Sequence, residues 1–461
     1  MSSAQPVAQQ KFYRRRDPEA SPFYRLVSDY FDEFEREYDP RYSMRFGFWR
    51  PVIREAIEKF LECGDLRKGF ARVRCPECRE EFFVAYSCKQ RGCCPSCDQK
   101  RSLVLGIRLL EQVLQQVPHR QWVFTIPKRL RVYFRFTRGF LGDLCRAAYD
   151  TVHEVMELES YEEGCTPGMV GAVQTFGDLV HWHPHIHAVV TEGAFDKEGC
   201  FIPVQSILVD RAIEIWRGKV FDILFEAGLL DLEDIGSMMG WKHSGFSIDT
   251  SVRIAAEDHD GMKRLVEYIA RCPFSLARMV KLTQDGKVMY HGSHPKCFRF
   301  PQLGSEMDLS PGMRRNYQMF EPLDFLAAVT QHIPNKGEHQ IRYYGYYSNK
   351  RRGMRTHRQQ QDANDAGLEP LSAYQLKCRI TWAALIKCVY EVDPLQCPKC
   401  GAEMMVIGFI ERENTDLIRT WLKAAGLWKE PAARAPPPEP NPLPQVAEPT
   451  VDYEFFDTTC V

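Results

Sequence analysis

Two histidines flank one isoleucine in the stretch His181-Trp182-His183-Pro184-His185-Ile186-His187. In an extended strand residues i and i+2 share a face. The imidazoles of His185 and His187 can therefore point at one ion while Ile186, Ala188 and Val190 take the other side. Taken alone, a His-x-His pair is equally well read as two ordinary polar residues, and its surroundings add weight to the metal reading. Gln174 lies on the preceding strand-like run, with Phe176, Gly177 and Asp178 leading into the connection. A cross-strand Gln174 oxygen would complete a three-ligand divalent site with open positions for a phosphate oxygen. Asp178 competes for that third place. Such a site stabilises charge developing on a phosphate. Imidazole plus oxygen donors suit Mg²⁺ or Mn²⁺ in use, although zinc also fits. His181 and His183 read as loop residues, with contact to DNA as the alternative for either.

The second chemical signal is sulfur. The chain has 17 cysteines, and CPECREEFFVAYSCKQRGCCPSC contains Cys75-x2-Cys78 and Cys94-x2-Cys97 with fifteen residues between the pairs. Two such knuckles brought together make a closed tetrahedral thiolate site, which selects structural zinc. Cys93 would spoil the spacing to Cys97, so Cys94 is the better ligand, and Cys88 is either a fifth thiol packed beneath or an alternative ligand. Lys89, Arg91, Lys100 and Arg101 flank the site against one acid, Asp98, which suits contact with phosphates. Cys397 and Cys400 form one further knuckle. Cys388 and Cys460 are its candidate partners by count but not by spacing.

These groups need elements to hold them. With 461 residues and 44% hydrophobic content the chain is long enough for two or three domains. No run of eighteen apolar residues offers a membrane span, and the basic N-terminus is not followed by an apolar segment of the signal-peptide kind. A cytoplasmic location is expected, where clustered cysteines read as metal ligands rather than disulfides. The net charge of −1 says nothing for or against a nucleic-acid partner, so local clusters must carry that argument. Helical patterning covers about 21–64 and, after the cysteine stretch, about 99–117, with Leu103, Val104, Ile107, Leu110, Val113, Leu114 and Val117 as the apolar stripe. Strand patterns then occupy Gln121–Ile126, Met169–Phe176, Ile186–Thr191 and Phe246–Ala255, the second and third as an antiparallel pair.

An α+β protein follows, ordered as a basic arm (1–20), a helical and zinc-ribbon DNA-binding domain (21–117), a core with a central antiparallel sheet and flanking helices (118–300), and a C-terminal DNA-binding and helical region carrying the Cys-x2-Cys knuckle (301–430). The eight prolines between 431 and 449 mark the tail at 431–461 as disordered.

Residues 339–358 carry six Lys or Arg and no acid, namely Arg342, Lys350, Arg351, Arg352, Arg355 and Arg358. Tyr343, Tyr344, Tyr346 and Tyr347 interleave with the first of them. Guanidinium groups on phosphates with rings for base stacking are what single-stranded DNA binding uses. The plainer reading is a solvated charge run beside core tyrosines.

In order along the chain, VRCPECREEFFVAYSCKQRGCCPSCDQKR, RQWVFTIPKRLR, VQTFGDLVHWHPHIHAVVTEGAF, LVEYIARCPFSLARM, IRYYGYYSNKRRG and VDPLQCPKCGAEMMVIGFI resemble the transposases of the insertion-sequence 91 family. The common-region branch of that rolling-circle group is the nearest. The resemblance spans nearly the whole chain. It implies an N-terminal zinc-binding domain followed by a nuclease of the histidine–hydrophobic–histidine (HUH) type, which nicks and rejoins single-stranded DNA through a 5′-phosphotyrosine. The metal histidines then match His185 and His187, and the nucleophile matches Tyr268. Family members with two nucleophiles carry tyrosines one helical turn apart. Cys272 stands at the second position here, which points to the single-tyrosine branch.

The residues around Tyr268 agree with that role. Asp258–Arg271 patterns as a helix whose stripe is Met262, Leu265, Val266, Ile269 and Ala270, and Tyr268 lies about 130° from its centre. Pro273 ends the helix near Cys272. The four tyrosines of the basic segment are the rival nucleophiles. A relaxase or replication initiator would use the same chemistry. A non-enzymatic zinc-dependent DNA-binding regulator would leave His185, His187 and Tyr268 without a task.

Overall fold

The computed structural model describes residues 17–160, 163–241, 243–282, 286–292, 317–355 and 395–430. Most of the expected N-terminal arm, the proline-rich tail at 431–461, Arg358, Cys388 and Cys460 lie outside them. Among the described residues no helix is long and apolar enough to cross a membrane.

The elements run α1 (Pro22–Phe46), α2 (Pro51–Leu61), β1 (Phe70–Arg74), β2 (Glu81–Ala85), α3 (Pro95–Gln112), β3 (His119–Thr125), α4 (Arg131–Phe136), α5 (Phe140–Ser160), β4 (Gly168–Phe176) and β5 (Trp182–Thr191). They continue with β6 (Gly193–Phe195), β7 (Phe201–Pro203), α6 (Val209–Glu226), α7 (Leu232–Met239), β8 (Ser247–Asp249), β9 (Arg253–Ile254) and α8 (His259–Ile269). Then come β10 (Met279–Leu282), β11 (Val288–His291), β12 (Tyr317–Phe320), α9 (Pro322–Thr330), β13 (Ile341–Gly345), β14 (Met405–Ile410) and α10 (Thr415–Ala424).

The protein is of the α+β class. Its main sheet has strand order β13-β4-β5-β3-β8, with β9 also paired to β3, and every pairing is antiparallel. Period-two alternation divides β5 cleanly. Ile186, Ala188 and Val190 join Trp122 and Phe124 in a core closed by α5 and α6. Val189 faces the other way, with Val170 and Ala172, toward a second core supplied by Leu109 and Val113 of the α3 segment and by Met262, Leu265, Val266 and Ile269 of α8. His185 and His187 belong to this second face.

Local chemistry explains where the sequence reading and the structure differ. The helical run expected from 21 to 64 breaks because Gly47 takes φ +89° and Pro51 holds Arg50 extended. The strand expected over Phe246–Ala255 becomes two, because Asp249 Oδ1 accepts the Ser251 amide at 2.8 Å and turns the chain. Along α3 the buried positions are Cys97, Asp98, Ser102, Gly106 and Leu109, and of the expected Leu103 stripe only Val113, just past the helix, is buried. A Cβ at Gly106 would already touch Val266, so the missing side chain lets α3 pack closely on α8. Ser102 Oγ donates to the Glu267 carbonyl at 3.0 Å in the same contact.

The main departure is at the ends. β14 pairs with β1, and β1 with β2, so residues 405–410 complete a small sheet with the cysteine-rich segment. The C-terminal knuckle region therefore sits on the N-terminal module, not beside the main sheet.

β13 lies along the edge strand β4 and ends at Gly345, whose φ is +55° and where any Cβ would overlap the Pro167 carbonyl oxygen. Gly345→Ala is expected to destabilise the protein by roughly 2–4 kcal/mol, since backbone cannot retreat. Urea denaturation measures it, and an unchanged midpoint would contradict the account.

Candidate active site and cysteine clusters

The candidate active site lies where β4, β5 and β3 meet α8. His185 and His187 are buried, and their Nε2 atoms stand 3.0 Å apart. Two ligands in cis positions around an octahedral ion with bonds of about 2.1 Å would be about 3.0 Å apart, so the pair fits one small hard cation. Burial holds both rings neutral at physiological pH, His185 down at about 4 and His187 at about 2. Neutral imidazole is the ligating form.

Register places Gln174 directly opposite His185. Its Nε2 donates to the Ile269 carbonyl at 3.0 Å and the Tyr268 carbonyl at 3.4 Å, so the amide fastens the C-terminal end of α8 to the sheet. With the nitrogen fixed by carbonyl acceptors, the Oε1 end is defined too. That oxygen is buried without a hydrogen-bond partner among the described residues. Asp178, the competing ligand, is instead ion-paired with Arg278 at 2.8 Å.

Tyr268 is 43% exposed and stands edge-on to the His187 ring, the centroids 5.3 Å apart at 90°. The Arg271 guanidinium lies 4.3 Å from the Tyr268 ring centroid and 5.4 Å from that of Phe176. α8 spans His259–Ile269 with Asp258 Oδ1 accepting the Gly261 amide as its cap. Met262, Leu265, Val266 and Ile269 are buried in its stripe. Cys272 lies beyond the helix end and bonds to buried Asp98, whose carboxyl is pushed up to about 6 by desolvation. No hydroxyl occupies the place one turn after Tyr268.

Two residues here escaped the sequence reading. Gln121, on β3, sets its side-chain amide 3.0 Å from His187 Nδ1. A cation on His187 Nε2 needs the His187 proton on Nδ1, where the Gln121 amide can accept it, while His185 Nδ1 donates to the His183 carbonyl at 2.7 Å and so leaves His185 Nε2 unprotonated. The second is His183, read as a loop residue but lying on β5 and on the same side as His185, ring centroids 5.0 Å apart. Its Nε2 is buried without a hydrogen-bond partner among the described residues. Gln174 pairs with His185 and Phe176 with Trp182, so His183 and Pro184 together face Thr175 in a bulge. Pro184 tolerates that position because a bulge leaves its missing N–H without consequence, and this is why the strand extends past a residue that sequence rules treat as a stop. The i, i+2, i+4 spacing of the three histidines was the available signal.

The cysteines expected as one site, Cys75, Cys78, Cys94 and Cys97, divide between two clusters. Cys94 and Cys97 gather with Cys63 and Cys88. Cys63 Sγ lies 3.9 Å from Cys94 Sγ and 3.8 Å from Cys97 Sγ, and Cys88 Sγ is 3.5 Å from Cys97 Sγ. Cys75 and Cys78 gather with Cys397 and Cys400. The physical reason is that Cys94 begins α3 as its N-cap residue, whereas Cys75 and Cys78 sit in the β1–β2 hairpin. Cys93 is buried and points its thiol toward the Ala56 carbonyl.

Several expected DNA contacts have structural work instead. Tyr344 is 7% exposed and stacks on Tyr149 at 5.1 Å, Tyr346 stacks on Phe195, and Tyr347 bonds His119 at 2.8 Å. Arg91 donates to the Glu338 carbonyl at 2.6 Å, and Arg352 Nε donates to the Tyr347 carbonyl at 3.1 Å. Arg342 packs against Gly142 beneath α5 and its Nε is buried. Tyr343 and Lys100 are half-buried, while Lys89, Arg101, Lys350 and Arg351 are exposed.

A sheet with paired histidines, a half-exposed tyrosine on the covering helix and an attached cysteine-rich module are the parts of a DNA-processing protein. Residues 168–354 match the family described as "Putative transposase", and residues 30–126 match the "Transposase zinc-binding domain". The chain is similar to the "Transposase for insertion sequence element IS801" of Pseudomonas savastanoi pv. phaseolicola, 25% identical over 370 residues covering 78% of this chain and 84% of that protein. It is also similar to the "Putative transposase y4qJ" of Sinorhizobium fredii, 25% identical over 346 residues covering 71% of this chain and 81% of that one. No solved structure matches it. The chain belongs to the insertion-sequence 91 family of transposases, with a zinc-binding domain in its N-terminal part.

Exposure divides the basic segment into charges open to solvent and side chains that pack inside. Lys350→Ala with Arg351→Ala should lower the salt dependence of single-stranded DNA binding by about 1.4 in log–log slope, and Tyr344→Phe should leave it unchanged. Fluorescence anisotropy across a salt series measures both. A Tyr344→Phe slope that falls as far as the double variant's would contradict the assignment.

Proposed function

We propose that this transposase nicks and rejoins single-stranded DNA at its element's ends through a covalent 5′-phosphotyrosine at Tyr268, in transposition of the rolling-circle kind. The observation that carries the reading is the juxtaposition at the end of α8. Tyr268 is half-exposed, edge-on to His187 and under Arg271, and its helix is tied to β4 by Gln174, which lies opposite His185 on β5. The nearest alternatives, a relaxase or a replication initiator, would run the same chemistry, and the family match is what favours transposition.

His185 Nε2, His187 Nε2 and Gln174 Oε1 are the residues that would hold a divalent cation, Mg²⁺ or Mn²⁺. When bound it supplies Lewis-acid polarisation of the scissile phosphate. The chain's own groups do the rest. The Tyr268 oxygen attacks phosphorus in line, the bond to the 3′-oxygen breaks, and a 3′-hydroxyl leaves while the 5′-phosphate stays on the tyrosine. The phenol proton has a path to solvent because the side chain is partly exposed. Arg271 places a guanidinium where phosphate oxygens must arrive. Rejoining is the reverse step, a DNA 3′-hydroxyl displacing Tyr268. Gln121 orients the His187 ring, and the zinc of the N-terminal domain is assigned to Cys63, Cys88, Cys94 and Cys97. Lys89, Arg101, Lys350 and Arg351 are the exposed charges that would follow the DNA backbone.

Incubation with end-labelled single-stranded DNA should trap an adduct that maps by mass spectrometry to Tyr268. Tyr268→Phe should form none, and His185→Ala or His187→Ala should lose cleavage by at least 100-fold while still binding DNA. An adduct on another tyrosine, or one persisting in Tyr268→Phe, overturns the assignment. Gln121→Leu should raise the cation concentration needed for half-maximal cleavage by about 10–100-fold with little change at saturation. An unchanged requirement would remove Gln121 from the ring-orienting role.

A further inference from the structure

The second cysteine cluster lies only partly inside the matched zinc-binding region. Cys75 and Cys78 belong to residues 30–126, but Cys397 and Cys400 lie beyond both matched regions. Cys75 Sγ is 3.5 Å from Cys400 Sγ, and Cys78 Sγ is 3.4 Å from Cys397 Sγ. The four sulfurs all lie within 4.8 Å of one another. A tetrahedral zinc with Zn–S bonds of about 2.3 Å spaces its sulfurs about 3.8 Å apart, whereas a disulfide needs about 2.05 Å. The contacts are therefore those of sulfurs gathered around one point.

The backbone makes the same case independently. In the first knuckle, Cys75 N donates to Glu80 O at 2.8 Å and Arg79 N to Cys75 O at 3.1 Å. In the second, Cys397 N donates to Ala402 O at 2.8 Å and Gly401 N to Cys397 O at 2.9 Å. The residue after each second cysteine is left-handed, Arg79 at φ 60° and Gly401 at φ 77°. Arginine is unfavourable there, so the turn is held by the knuckle around Arg79 rather than by the residue's own preference. Two loops from opposite ends of the chain thus fold alike and face each other. Each is joined to a strand of the sheet β14-β1-β2.

We infer that Cys75, Cys78, Cys397 and Cys400 bind a second structural zinc ion, which closes a ribbon split between the two ends of the chain. The need for it is physical. The cores beneath this sheet are small, one of Leu66, Phe70, Phe83, Ile410, Ile418 and Leu422 and one around Val73, Val84 and Met404. Cores of that size do not hold a distant segment alone, and metal binding supplies the missing stability. The ion makes residues 395–430 part of the N-terminal module. The other cluster is unlike it, with Cys94 capping α3 and Cys63 and Cys88 in no Cys-x2-Cys pair.

The test is zinc stoichiometry of the full chain, purified under reducing conditions and measured by inductively coupled plasma mass spectrometry. Wild type should hold two ions. Cys397→Ser with Cys400→Ser should hold one, and so should Cys75→Ser, and combining all three changes should cost no more than that same ion. Cys63→Ser should lose the other ion. Limited proteolysis should release residues 395–430 faster from the Cys397→Ser, Cys400→Ser variant while its circular dichroism stays close to wild type. A wild-type content of one ion, or two ions retained in that variant, would overturn the inference. None of these readouts depends on DNA cleavage, so failure of the nuclease reading would leave them untouched.

Discussion

The pairing register between β4 and β5 is the constraint on which the candidate active site depends. It sets Gln174 opposite His185, and through Gln174 it fastens the end of α8. A slip of one residue would exchange the faces of β5, sending the histidines into the core beneath α5 and α6 and Ile186 toward Tyr268. Burial on both faces forbids that slip, since Ile186, Ala188 and Val190 have no exposure to give up. Precision at the chemistry is thus borrowed from apolar packing on the opposite side of the same strand. α3 backs the arrangement, close enough to α8 at Gly106 to leave the helix little room to shift.

The cysteine module follows a different logic. The main sheet has large cores and needs no ion, whereas the sheet β14-β1-β2 has only a thin apolar layer beneath it. The Cys75, Cys78, Cys397 and Cys400 cluster stands where hydrophobic area runs short, whereas Cys63, Cys94 and Cys97 belong to a large core. One cluster binds the start of α3 to the residues following α2, and α3 in turn supports α8. The module and the tyrosine helix are therefore mechanically continuous.

Charge is distributed with equal economy. A net charge of −1 conceals many arginines that act as internal donors. Arg50 donates to carbonyls of Thr330, Gln331 and Ile333, and Arg138 pairs with Glu338 while donating to Gln331. Arg91 joins the same loop through Glu338. Guanidinium groups suit this work because one side chain satisfies several carbonyls of an irregular buried loop. Counting basic residues in the sequence consequently overstates the surface left to meet DNA.

Local pattern carried a good share of this protein. Alternation along β5 put His185 and His187 on one face, and the stripe of α8 left Tyr268 outside it, because both periodicities are written within a few residues. The antiparallel pairing of β4 with β5, the α+β class and the presence of cysteine knuckles were legible for the same reason. What the sequence left open was partnership. A Cys-x2-Cys pair specifies half of a site, and nothing local tells Cys75 to meet Cys400, which is 325 residues away, rather than Cys97. Gln121 gives no sign in its own neighbourhood that it faces His187, and Tyr344 in a basic run reads as a surface ring until Tyr149 covers it. His183 was hidden by Pro184, a strand breaker that only a bulge against Thr175 makes harmless. Periodicity is a property of one segment, whereas shared ligands, buried rings and bulges are properties of two, and only folding brings the second segment into place.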